Sequence, residues 1–596
     1  MTGEMIFTFI VIFIMLIGLI KEIARPDIIV FTALSIFFIT GILTAEEAFA
    51  GFSNQGMLTV ALLFIVAGAI QKSGLVEQVI FRLLKKGKSD QRTLFSFLLP
   101  ITAASAFLNN TPIVMTLTPI VRKWCVDHNI APSKFLIPLS YATILGGILT
   151  LMGTSTNLVV HGLMVERGME GYSMFTLAKY SLPASIIGLI YLVTIGYKIL
   201  PSYKVSEPTV TEKSREYLIE MVIEENYPFL DNPLVNKTVE ESGLRDFKGV
   251  YLIAVIRNNE KIYPVRNSTK IKANDRLIFT GVISRIAEIQ SKKGIELKTG
   301  TNVTLEKLRN GNTQVMEVVI SHQSSLLHKK VKENKFRAKY DADVIAVHRN
   351  NERIESGIGD ITLKAGDTLL LLAGADFEER FAQSNDFYVA MPLNKHPLLH
   401  KIDKKNAWLS ILILTTMIFL VSFGVLSMLK AMTITVILYF IFKVIRPEDI
   451  SRDMQYHVLL LIASAFGIGQ ALFKTGAADW IANQLIIVSE PFGMLGILVL
   501  LYIVTVSFTE MITNNGAVVL MFPIAIEAAN KLAADPMAFL VIITIGASAS
   551  FLSPIGYQTN LIVYGPGGYK FTDYFKVGLP LSFIVMITTI GTIYLY

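Results

Sequence analysis

The sequence contains very little cysteine and little charge, and both shortages exclude whole classes of protein. Cys125 is the single cysteine among 596 residues, so the chain can form neither an internal disulfide nor a metal site built from several cysteines. Charged residues make up only 17% of the chain, 52% of residues are hydrophobic, and the mean hydropathy is +0.53. These values predict a protein of the lipid bilayer. The net charge of +7 is too modest to indicate nucleic-acid binding.

The chain divides into three blocks by composition. Apolar runs dominate residues 1–201 and 406–596, which we expect to be two membrane repeats. Residues 202–405 are polar and rich in Lys, Glu and Asn, so we expect a soluble insert there. Some runs are shorter than the ~20 residues of a full membrane span. The predicted segments are 5–20, 28–43, 57–71, 94–121, 135–163, 181–199, 407–427, 431–443, 457–473, 493–527, 537–563 and 579–596.

Positive charges orient these segments, because cytoplasmic loops of membrane proteins carry an excess of lysine and arginine. Five basic residues fall within 82–92, so this loop is predicted to be cytoplasmic. Segment 94–121 starts there and is followed at once by Arg122, so it enters and leaves on the cytoplasmic side as a re-entrant hairpin. By the same rule, segment 493–527 is a hairpin that enters from the outside. The insert 202–405 then lies in the cytoplasm of a multi-pass protein of the plasma or inner membrane.

The two membrane blocks repeat each other. LNNTPIVMTLTPI matches ITNNGAVVLMFPI and aligns Asn110 with Asn514, 404 positions apart. GTSTNLVV matches GYQTNLIV and aligns Asn157 with Asn560, 403 positions apart. Because the two hairpins face opposite ways, this is an inverted-topology repeat, which is typical of secondary transporters. The predicted fold is therefore an α-helical polytopic membrane protein with inverted repeats, two re-entrant hairpins and a cytoplasmic α/β insert.

The repeated motifs place polar residues where helices break inside apolar sequence. Burying an unpaired amide costs roughly 2–7 kcal/mol, and non-helical backbone is tolerated at membrane depth only when it is buried in protein or lines a cavity. Helix N-termini at such breaks offer N–H groups and a positive dipole end to an anion. Unwound carbonyls with Asn and Thr oxygens suit a cation such as Na⁺. The alternative, that these residues form only interhelical hydrogen bonds, explains a lone Asn better than duplicated pairs.

These motifs resemble the divalent anion/sodium symporter family, whose members carry two hairpin tips and two broken helices of this kind. The resemblance covers both membrane blocks and implies a homodimer that moves its substrate domain like an elevator, with Na⁺ as coupling ion and a small inorganic or organic dianion as substrate. It places Na⁺ at two sites, formed by Ser105, Asn109, Asn110 and Gly153, and by Thr509, Thr513, Asn514 and Gly556. It places the anion at Asn110, Thr111, Asn514 and Asn515, supported by Thr156, Asn157, Thr559 and Asn560.

The motifs also depart from the family pattern. The tips read Asn-Asn-Thr and Thr-Asn-Asn where Ser-Asn-Thr is expected, and Ser155-Thr156 and Gln558-Thr559 replace the usual proline pairs. These variants most resemble the sulfate-type branch, so we expect sulfate as substrate. A C4-dicarboxylate transporter of the same family is the alternative. The chemistry of neutral donors does not separate the two anions.

Two functions from other classes are less consistent with the sequence. A ligand-gated channel is suggested by the insert, but a channel needs a continuous pore rather than a midplane site between inverted repeats. A membrane enzyme has no support, because the chain shows no metal-ligand spacing and no Ser/His/Asp set. Glu510, next to the second tip, has two open roles: an ionisable functional group, or a carboxylate that binds backbone N–H groups at the broken helix.

The insert contains its own repeat. AVIRNNEKIYP matches AVHRNNERIES, and both Arg257 with Arg349 and Asp275 with Asp367 align 92 positions apart. Alternating strands and polar turns mark each unit. The pattern resembles a TrkA-C domain, a regulator of conductance, present twice over about 215–283 and 314–376. A nucleotide-type regulator is one possibility, and a dimerisation module without a ligand is the other. The two arginines either bind phosphate or are solvated surface groups.

Overall fold

The fold is known from a computed structural model that describes residues 2–21, 23–72, 90–203, 404–448, 450 and 454–595, with most of 218–392. The N-terminal membrane block is helical throughout its described part. The helices after Gly3–Ile20 have 5 to 18 residues, and Gly, Pro and Asn residues are frequent between them. These helices are Pro26–Ile39, Ala45–Phe49, Gln55–Lys72, Asp90–Ser105, Asn110–Asp127, Leu136–Gly147, Ser155–Glu166 and Thr176–Tyr191, the last continued by a π turn to Ile199.

The C-terminal membrane block repeats this order. It includes the helix Ala477–Ser489, whose counterpart positions in the first block lie outside the described residues, and it ends in a long helix that contains Pro580 in its interior. The helices are Lys404–Ser422, Met428–Ile441, Tyr456–Lys474, Ala477–Ser489, Gly493–Met511, Asn514–Lys531, Pro536–Ser548, Gln558–Gly567 and Phe571–Leu595.

Each of the four long predicted segments consists of two helices. We call Asp90–Ser105 with Asn110–Asp127 hairpin 1, and Gly493–Met511 with Asn514–Lys531 hairpin 2. We call residues 148–154 break 1 and residues 549–557 break 2, because each separates the two helices of one predicted apolar segment. The predicted helical fold with its broken helices is therefore confirmed, and six helices among the described residues are long and apolar enough to cross a membrane.

The sequence reading overlooked one helix and misplaced the start of another. Ala477–Ser489 has no predicted counterpart, because its apolar residues are interrupted by Asp479, Asn483 and Gln484 and form no continuous run. The last helix begins at Phe571, eight residues before the predicted 579, since Asp573 and Lys576 lie in its first turns and lower the local hydropathy. The basic residues at 82–88 lie outside the described residues, so the membrane orientation stays a prediction.

The two membrane blocks pack across each other in a symmetric way. Helix Pro26–Ile39 packs on Tyr456–Lys474, and its counterpart Met428–Ile441 packs on Gln55–Lys72. The second helix of hairpin 1 contacts Gln558–Gly567 beyond break 2. The second helix of hairpin 2 contacts the helix beyond break 1, Ser155–Glu166. Each repeat therefore completes the other, and the hairpins and breaks gather in the centre.

The insert contains two five-stranded antiparallel sheets of identical strand order. The first is β5-β4-β6-β1-β7 and the second is β10-β9-β11-β8-β12, so each strand of the first sheet has a counterpart in the second. The strands are β1 Leu218–Ile223, β2 Asn226–Tyr227, β3 Leu230–Asp231, β4 Val250–Arg257, β5 Glu260–Ile262, β6 Arg276–Gly281, β7 Ile295–Leu297, β8 Thr313–Ile320, β9 Ala342–Arg349, β10 Glu352–Arg353, β11 Thr368–Gly374 and β12 Phe387–Pro392. The second unit also has two short helices, Phe336–Tyr340 and Phe377–Phe381.

The units extend beyond the predicted bounds of 215–283 and 314–376. Strand β7 pairs with β1, and β12 pairs with β8, although both follow the end of the predicted repeat. The sequence repeat did not reveal β7 and β12, because these two strands differ in sequence. Strand pairing depends mainly on backbone groups. The outer ends of the first predicted range, 215–217 and 282–283, lie outside the described residues. The assignment to TrkA-C domains stays a prediction.

The two aligned arginines of the insert are structural rather than free. Arg349 donates from Nε and Nη2 to both oxygens of buried Asp367, each at 2.7 Å, and from Nη2 to the Thr362 carbonyl at 2.8 Å. Arg257 makes the same bidentate pair with Asp275 at 2.8 Å. Hydrogen bonds to Asp367 raise the pKa of Arg349 despite its partial burial. Both guanidinium groups are therefore committed to holding a turn.

Removal of one carboxylate of these pairs tests their structural role. We expect Asp367→Ala to weaken the second unit by about 1.5–3 kcal/mol, the value of a hydrogen bond to a charged group. Amides of 342–349 and 368–374 then exchange hydrogen roughly 10–100 times faster in the full chain. The control is Asp376→Ala, which removes an exposed pair with Arg380 that contributes little. Equal exchange in the two variants contradicts the assignment.

Candidate functional site

Four helix N-termini meet where the repeats interlock. They begin at Asn110, Ser155, Asn514 and Gln558, in helices of 18, 12, 18 and 10 residues. The tip of hairpin 1 is joined to break 2 by two hydrogen bonds, from Asn110 Nδ2 to Tyr557 Oη at 2.8 Å and from Thr111 Oγ1 to Gln558 Oε1 at 3.1 Å. The positive dipole ends of the four helices therefore point into one small region.

The tip of hairpin 2 is joined to the helix after break 1 in the corresponding way. Asn515 Oδ1 accepts from Ser155 Oγ at 3.2 Å and from Thr156 Oγ1 at 3.3 Å. Of the predicted anion-binding residues, Thr156 and Asn515 are thus in direct contact. Thr111 instead contacts Gln558, which the sequence reading noted only as a replacement of proline.

A cluster of three oxygens lies behind the tip of hairpin 1. Ser105 Oγ is 2.6 Å from Asn110 Oδ1 and 2.9 Å from the Thr143 carbonyl. One hydroxyl hydrogen is shared among three oxygens, because neither an amide oxygen nor a carbonyl can donate. Ser105 is fully buried and Asn110 is 1% exposed. We call these three atoms oxygen cluster 1, and their arrangement suits a hard cation.

The second repeat carries the same cluster. Thr509 Oγ1 is 2.8 Å from Asn514 Oδ1 and 2.7 Å from the Ala547 carbonyl. All three residues stand 404 positions after their counterparts in oxygen cluster 1. We call this set oxygen cluster 2. The sequence analysis paired Ser105 with Asn110 and Thr509 with Asn514, and the structure brings both pairs together. It missed the carbonyls of Thr143 and Ala547, which any residue type supplies.

Asparagine amides hold both breaks in shape. Asn157 Nδ2 donates to the carbonyls of Gly147 and Thr150 at 3.0 and 2.8 Å. Asn560 Nδ2 makes the corresponding bonds to Ser550 and Ser553, both at 3.0 Å. These bonds satisfy carbonyls that the broken helix leaves free. Asn157 and Asn560 therefore fix the backbone of the breaks, and their support of an anion stays a prediction.

The two break asparagines differ in one respect. Asn560 Oδ1 accepts from Ser140 Oγ at 2.7 Å, and the same hydroxyl lies 2.8 Å from Thr559 Oγ1. The buried Asn157 Oδ1 has no hydrogen-bond partner among the described residues. Thr559 is consequently tied to Ser140, on the helix before break 1, and links the two repeats rather than facing the centre alone.

Four other predicted cation ligands lie next to the clusters without joining them. Asn109 precedes the second helix of hairpin 1 and makes no side-chain capping bond. Thr513 caps its own helix at Gly516 N, 3.3 Å away. A Cβ added at Gly153 would lie 2.5 Å from the Gly147 carbonyl, and one at Gly556 would overlap the Glu510 carboxylate. Both glycines are therefore needed for close backbone packing, and any role as a ligand stays a prediction.

Glu510 binds the backbone of break 2. Its Oε1 accepts from Leu552 N at 2.8 Å and its Oε2 accepts from Ser553 Oγ at 2.6 Å. In the first repeat the counterpart is Ala106, whose carbonyl accepts from Thr150 Oγ1. Of the two roles considered for Glu510, these contacts support the structural one.

The centre of the site contains neutral groups. The tips and the N-termini contribute amides, hydroxyls and one phenol, and no Lys or Arg occurs within 105–119 or 505–521. The hydroxyl contacts between hairpin tips and breaks measure 3.1–3.3 Å, longer than the ~2.7–2.8 Å typical of O–H···O bonds. An anion that enters between the tips can replace such weak contacts.

Sequence reasoning missed Tyr557 and Thr154. They occupy the same position in GYQTN and GTSTN, so the repeat alignment itself contained the signal. Their hydroxyls lie 3.2 Å apart, and Tyr557 Oη also accepts from Asn110. Two equivalent residues that touch mark the pseudo-two-fold axis of the repeats. The site is therefore centred on this pair.

The second unit of the insert is docked on helices that begin at the site. Arg122, on the second helix of hairpin 1, pairs with Glu317 of β8 at 3.0 Å, with side chains 16% and 12% exposed. Beyond break 2, a Cβ added at Gly565 would overlap Thr368 Oγ1, so the two backbones approach closely there. Val319, Tyr388, Val389 and Met391 belong to the same hydrophobic cluster as the membrane helices. The insert is thus in direct contact with the elements that carry the site.

Comparisons with known proteins support a transport role for this arrangement. A family profile described as "Citrate transporter" matches residues 10–544. A Chlamydomonas reinhardtii protein described as a sulfur deprivation response regulator is 32% identical over 586 residues, 97% of this chain and 99% of the relative. An uncharacterized transporter of Synechocystis is 32% identical, over 93% of this chain and 91% of the relative. Sodium/sulfate cotransporter 1 of Chlamydomonas reinhardtii is 25% identical, over 96% of this chain and 87% of the relative.

The contact between Arg122 and Glu317 yields a prediction for the docked unit. We expect Arg122→Ala to leave Glu317 partly buried without its partner, and so to loosen β8 and β12 from the membrane helices. Hydrogen exchange of 313–320 and 387–392 in the full chain then rises about tenfold. Lys123→Ala is the control, because among the described residues Lys123 pairs only with Asp127, at a partly exposed position. If Lys123→Ala has the same effect, the assignment of this contact fails.

Proposed function

This chain belongs to the citrate transporter family, and from that premise we propose that it is a symporter that uses the Na⁺ gradient to take up a divalent anion, sulfate first. It is a multi-pass membrane protein and a transporter, not an enzyme. Relatives named as sodium/sulfate cotransporters support the choice of ion and substrate. The observation that carries the proposal is the orientation of Asn110 and Asn514. Each turns its amide oxygen into an oxygen cluster at its own hairpin tip.

Na⁺ binds at the two oxygen clusters in this proposal. Each cluster offers a hydroxyl, an amide oxygen and a backbone carbonyl, which are the neutral oxygen ligands that coupling ions take at broken helices. Ser105 and Thr509 supply the hydroxyls, and Thr143 and Ala547 the carbonyls. Two bound Na⁺ ions bring two positive charges to a region without Lys or Arg. The two ions offset the charge of a dianion, and this attraction couples the binding of the two solutes.

The dianion binds between the tips, where the four N-termini converge. Asn110 and Asn514 face it with their amide nitrogens while their oxygens hold Na⁺. Thr111, Ser155, Thr156 and Asn515 exchange their long mutual contacts for bonds to the anion. A helix N-terminus favours negative charge by about 0.3–1 kcal/mol at exposed positions and up to about 2 kcal/mol when partly buried.

Movement of the site as one body accounts for alternating access. The hairpins and the helices on either side of the breaks pack on one another, so they can shift together without opening the site. The remaining helices form a frame with an apolar outer face. In Gly3–Ile20, for example, only 17% of the residues are buried. We assign the frame to a homodimer interface and to lipid. This elevator scheme predicts that the docked insert unit travels with the site.

Two alternatives give different results in the same assay. A C4-dicarboxylate transporter of this family would use the same Na⁺ clusters but accept succinate. A ligand-gated channel would conduct without saturation by substrate. The direct hydrogen bonds between tips and breaks favour a carrier over a channel, because they close the centre on itself. A nucleotide-type regulator of the insert is compatible with all three.

The first test is radiolabelled sulfate uptake into proteoliposomes. We expect saturable accumulation that needs an inward Na⁺ gradient and is insensitive to excess succinate. Competition by succinate with little sulfate uptake would favour the dicarboxylate alternative. Flux that neither saturates nor requires a gradient would overturn the carrier.

The two asparagines are expected to be essential. We predict that Asn110→Ala and Asn514→Ala each abolish Na⁺-driven uptake, because each substitution removes a cation ligand and an anion donor at once. Membrane insertion should stay normal, as measured by the amount of monodisperse protein purified from membranes. Normal uptake by both variants would refute the site assignment.

The hydroxyls of the oxygen clusters are expected to affect Na⁺ specifically. Ser105→Ala or Thr509→Ala removes one oxygen ligand, worth about 1.5–3 kcal/mol for a bond to a charge. The Na⁺ concentration for half-maximal uptake then rises about tenfold or more. Thr416→Ala is the matched control, because this hydroxyl bonds only to a carbonyl of its own helix, at Leu412. The assignment of the cation sites is contradicted if this Na⁺ concentration also rises in the control. It is equally contradicted if the concentration rises in neither Ser105→Ala nor Thr509→Ala.

A further inference from the structure

We propose that Tyr557 determines which anion this transporter accepts, because its side chain fills one half of the anion site and leaves room for a compact dianion only. The inference rests on the proposed function and deepens it, since it concerns substrate selection at the same site. Tyr557 is buried, with 9% of its surface exposed. It lies in break 2, and it is not among the residues that the sequence predicted to bind the anion.

Tyr557 and Thr154 are equivalent residues with different side-chain sizes. Each immediately precedes the helix that follows its break, with extended backbone at φ −138° and ψ 138° for Tyr557 and φ −144° and ψ 151° for Thr154. Neither side chain caps its own helix. Both instead point to the axis between the repeats, where their hydroxyls meet at 3.2 Å. The symmetry of the backbone is thus preserved while the centre is filled from one side.

This difference in size makes the two halves of the anion site unequal. On one side, Asn110 Nδ2 donates to Tyr557 Oη at 2.8 Å. On the other side, the equivalent amide of Asn514 has no hydrogen-bond acceptor among the described residues, because the shorter Thr154 does not extend to it. Asn514 Nδ2 therefore has both hydrogens available for a ligand, whereas Asn110 Nδ2 has one left beside its bond to Tyr557. The Tyr557 hydroxyl, which accepts from Asn110, can direct its own hydrogen to the same ligand.

The strengths of the contacts indicate which groups yield to an anion. Contacts of Thr111, Ser155 and Thr156 across the repeats are 3.1–3.3 Å long, whereas the bond from Asn110 to Tyr557 is 2.8 Å. A ligand displaces the long contacts more easily than the short one. Tyr557 then stays in place as a wall of the loaded site, and its ring limits the length of the ligand.

A wall of this kind separates two classes of dianion. Sulfate has both charges on one tetrahedral centre and fits between Asn514, the Tyr557 hydroxyl and the loosely held hydroxyls. A C4 dicarboxylate needs two separate anion positions joined by a carbon chain, and the ring of Tyr557 occupies the second position. Selection by steric exclusion of this kind is an effective way to reject a competitor.

Two substitutions separate the volume of Tyr557 from its hydroxyl. Tyr557→Thr restores the side chain that Thr154 carries in the other repeat and opens the second position. Tyr557→Phe keeps the wall and removes one hydrogen-bonding group. The control is Tyr439→Phe, because Tyr439 is also fully buried but donates to the Ser410 carbonyl, away from the site.

The measurement is the inhibition of labelled sulfate uptake by succinate and by unlabelled sulfate in proteoliposomes with an inward Na⁺ gradient. We expect Tyr557→Thr to lower the ratio of the succinate to the sulfate inhibition constant at least tenfold. We expect Tyr557→Phe to raise the KM for sulfate about threefold to tenfold with that ratio unchanged. Tyr439→Phe should resemble the unsubstituted chain in both values.

Several results would overturn the inference. It falls if Tyr557→Thr rejects succinate as strongly as the unsubstituted chain, or if Tyr439→Phe changes the ratio equally. If Tyr557→Thr does not fold, the sulfate KM of Tyr557→Phe is the remaining test. An unchanged KM overturns the inference, and the expected rise supports it. Failure of the proposed function is separate, because it appears in the unsubstituted chain as sulfate uptake that does not depend on Na⁺.

Discussion

The orientation of two amides, Asn110 buried and Asn514 partly buried, is the constraint on which the rest of this structure depends. Asn110 and Asn514 each have an oxygen fixed by a hydroxyl at the adjoining helix end, which directs the nitrogen to the centre. An amide placed at this depth without partners would cost several kcal/mol. The breaks, the close glycine contacts and the second pair of asparagines all supply the backbone geometry that satisfies these groups. In the proposed mechanism the same geometry ties cation binding to anion binding.

Symmetry is preserved where cations are proposed to bind and lost where the anion is proposed to bind. The oxygen clusters are equivalent atom for atom, with a hydroxyl, an amide oxygen and a carbonyl in each repeat. The centre differs, because Tyr557 stands opposite Thr154. Two equal ions need two equal sites, whereas a single small anion on a pseudo-two-fold axis needs only one. Duplication of the sequence supplied the first requirement, and divergence at one position is sufficient for the second.

The repeat pattern was sufficient to predict the broken helices, and the family resemblance placed Ser105 with Asn110, because side-chain identity carries that information. It could not reveal the carbonyls of Thr143 and Ala547, since every residue has one. Helix Ala477–Ser489 and strands β7 and β12 were missed for a related reason: mixed hydropathy and backbone pairing leave little trace in composition. Tyr557 was visible in the alignment, but its function depends on a contact between repeats that only the folded chain makes.

The docking of the insert connects this geometry to the second insert unit. Arg122 lies twelve residues after Asn110 on one helix, roughly 18 Å along its axis at 1.5 Å per residue. Leu561 and Gly565, which face the second insert unit, lie on the helix that starts one residue after Tyr557. In the proposed mechanism each helix carries the docked unit with it, so a displacement of either N-terminus at the site is a displacement of the docked unit. Any ligand that binds the unit more tightly in one position must therefore change the distribution of the site between its positions by the same free energy.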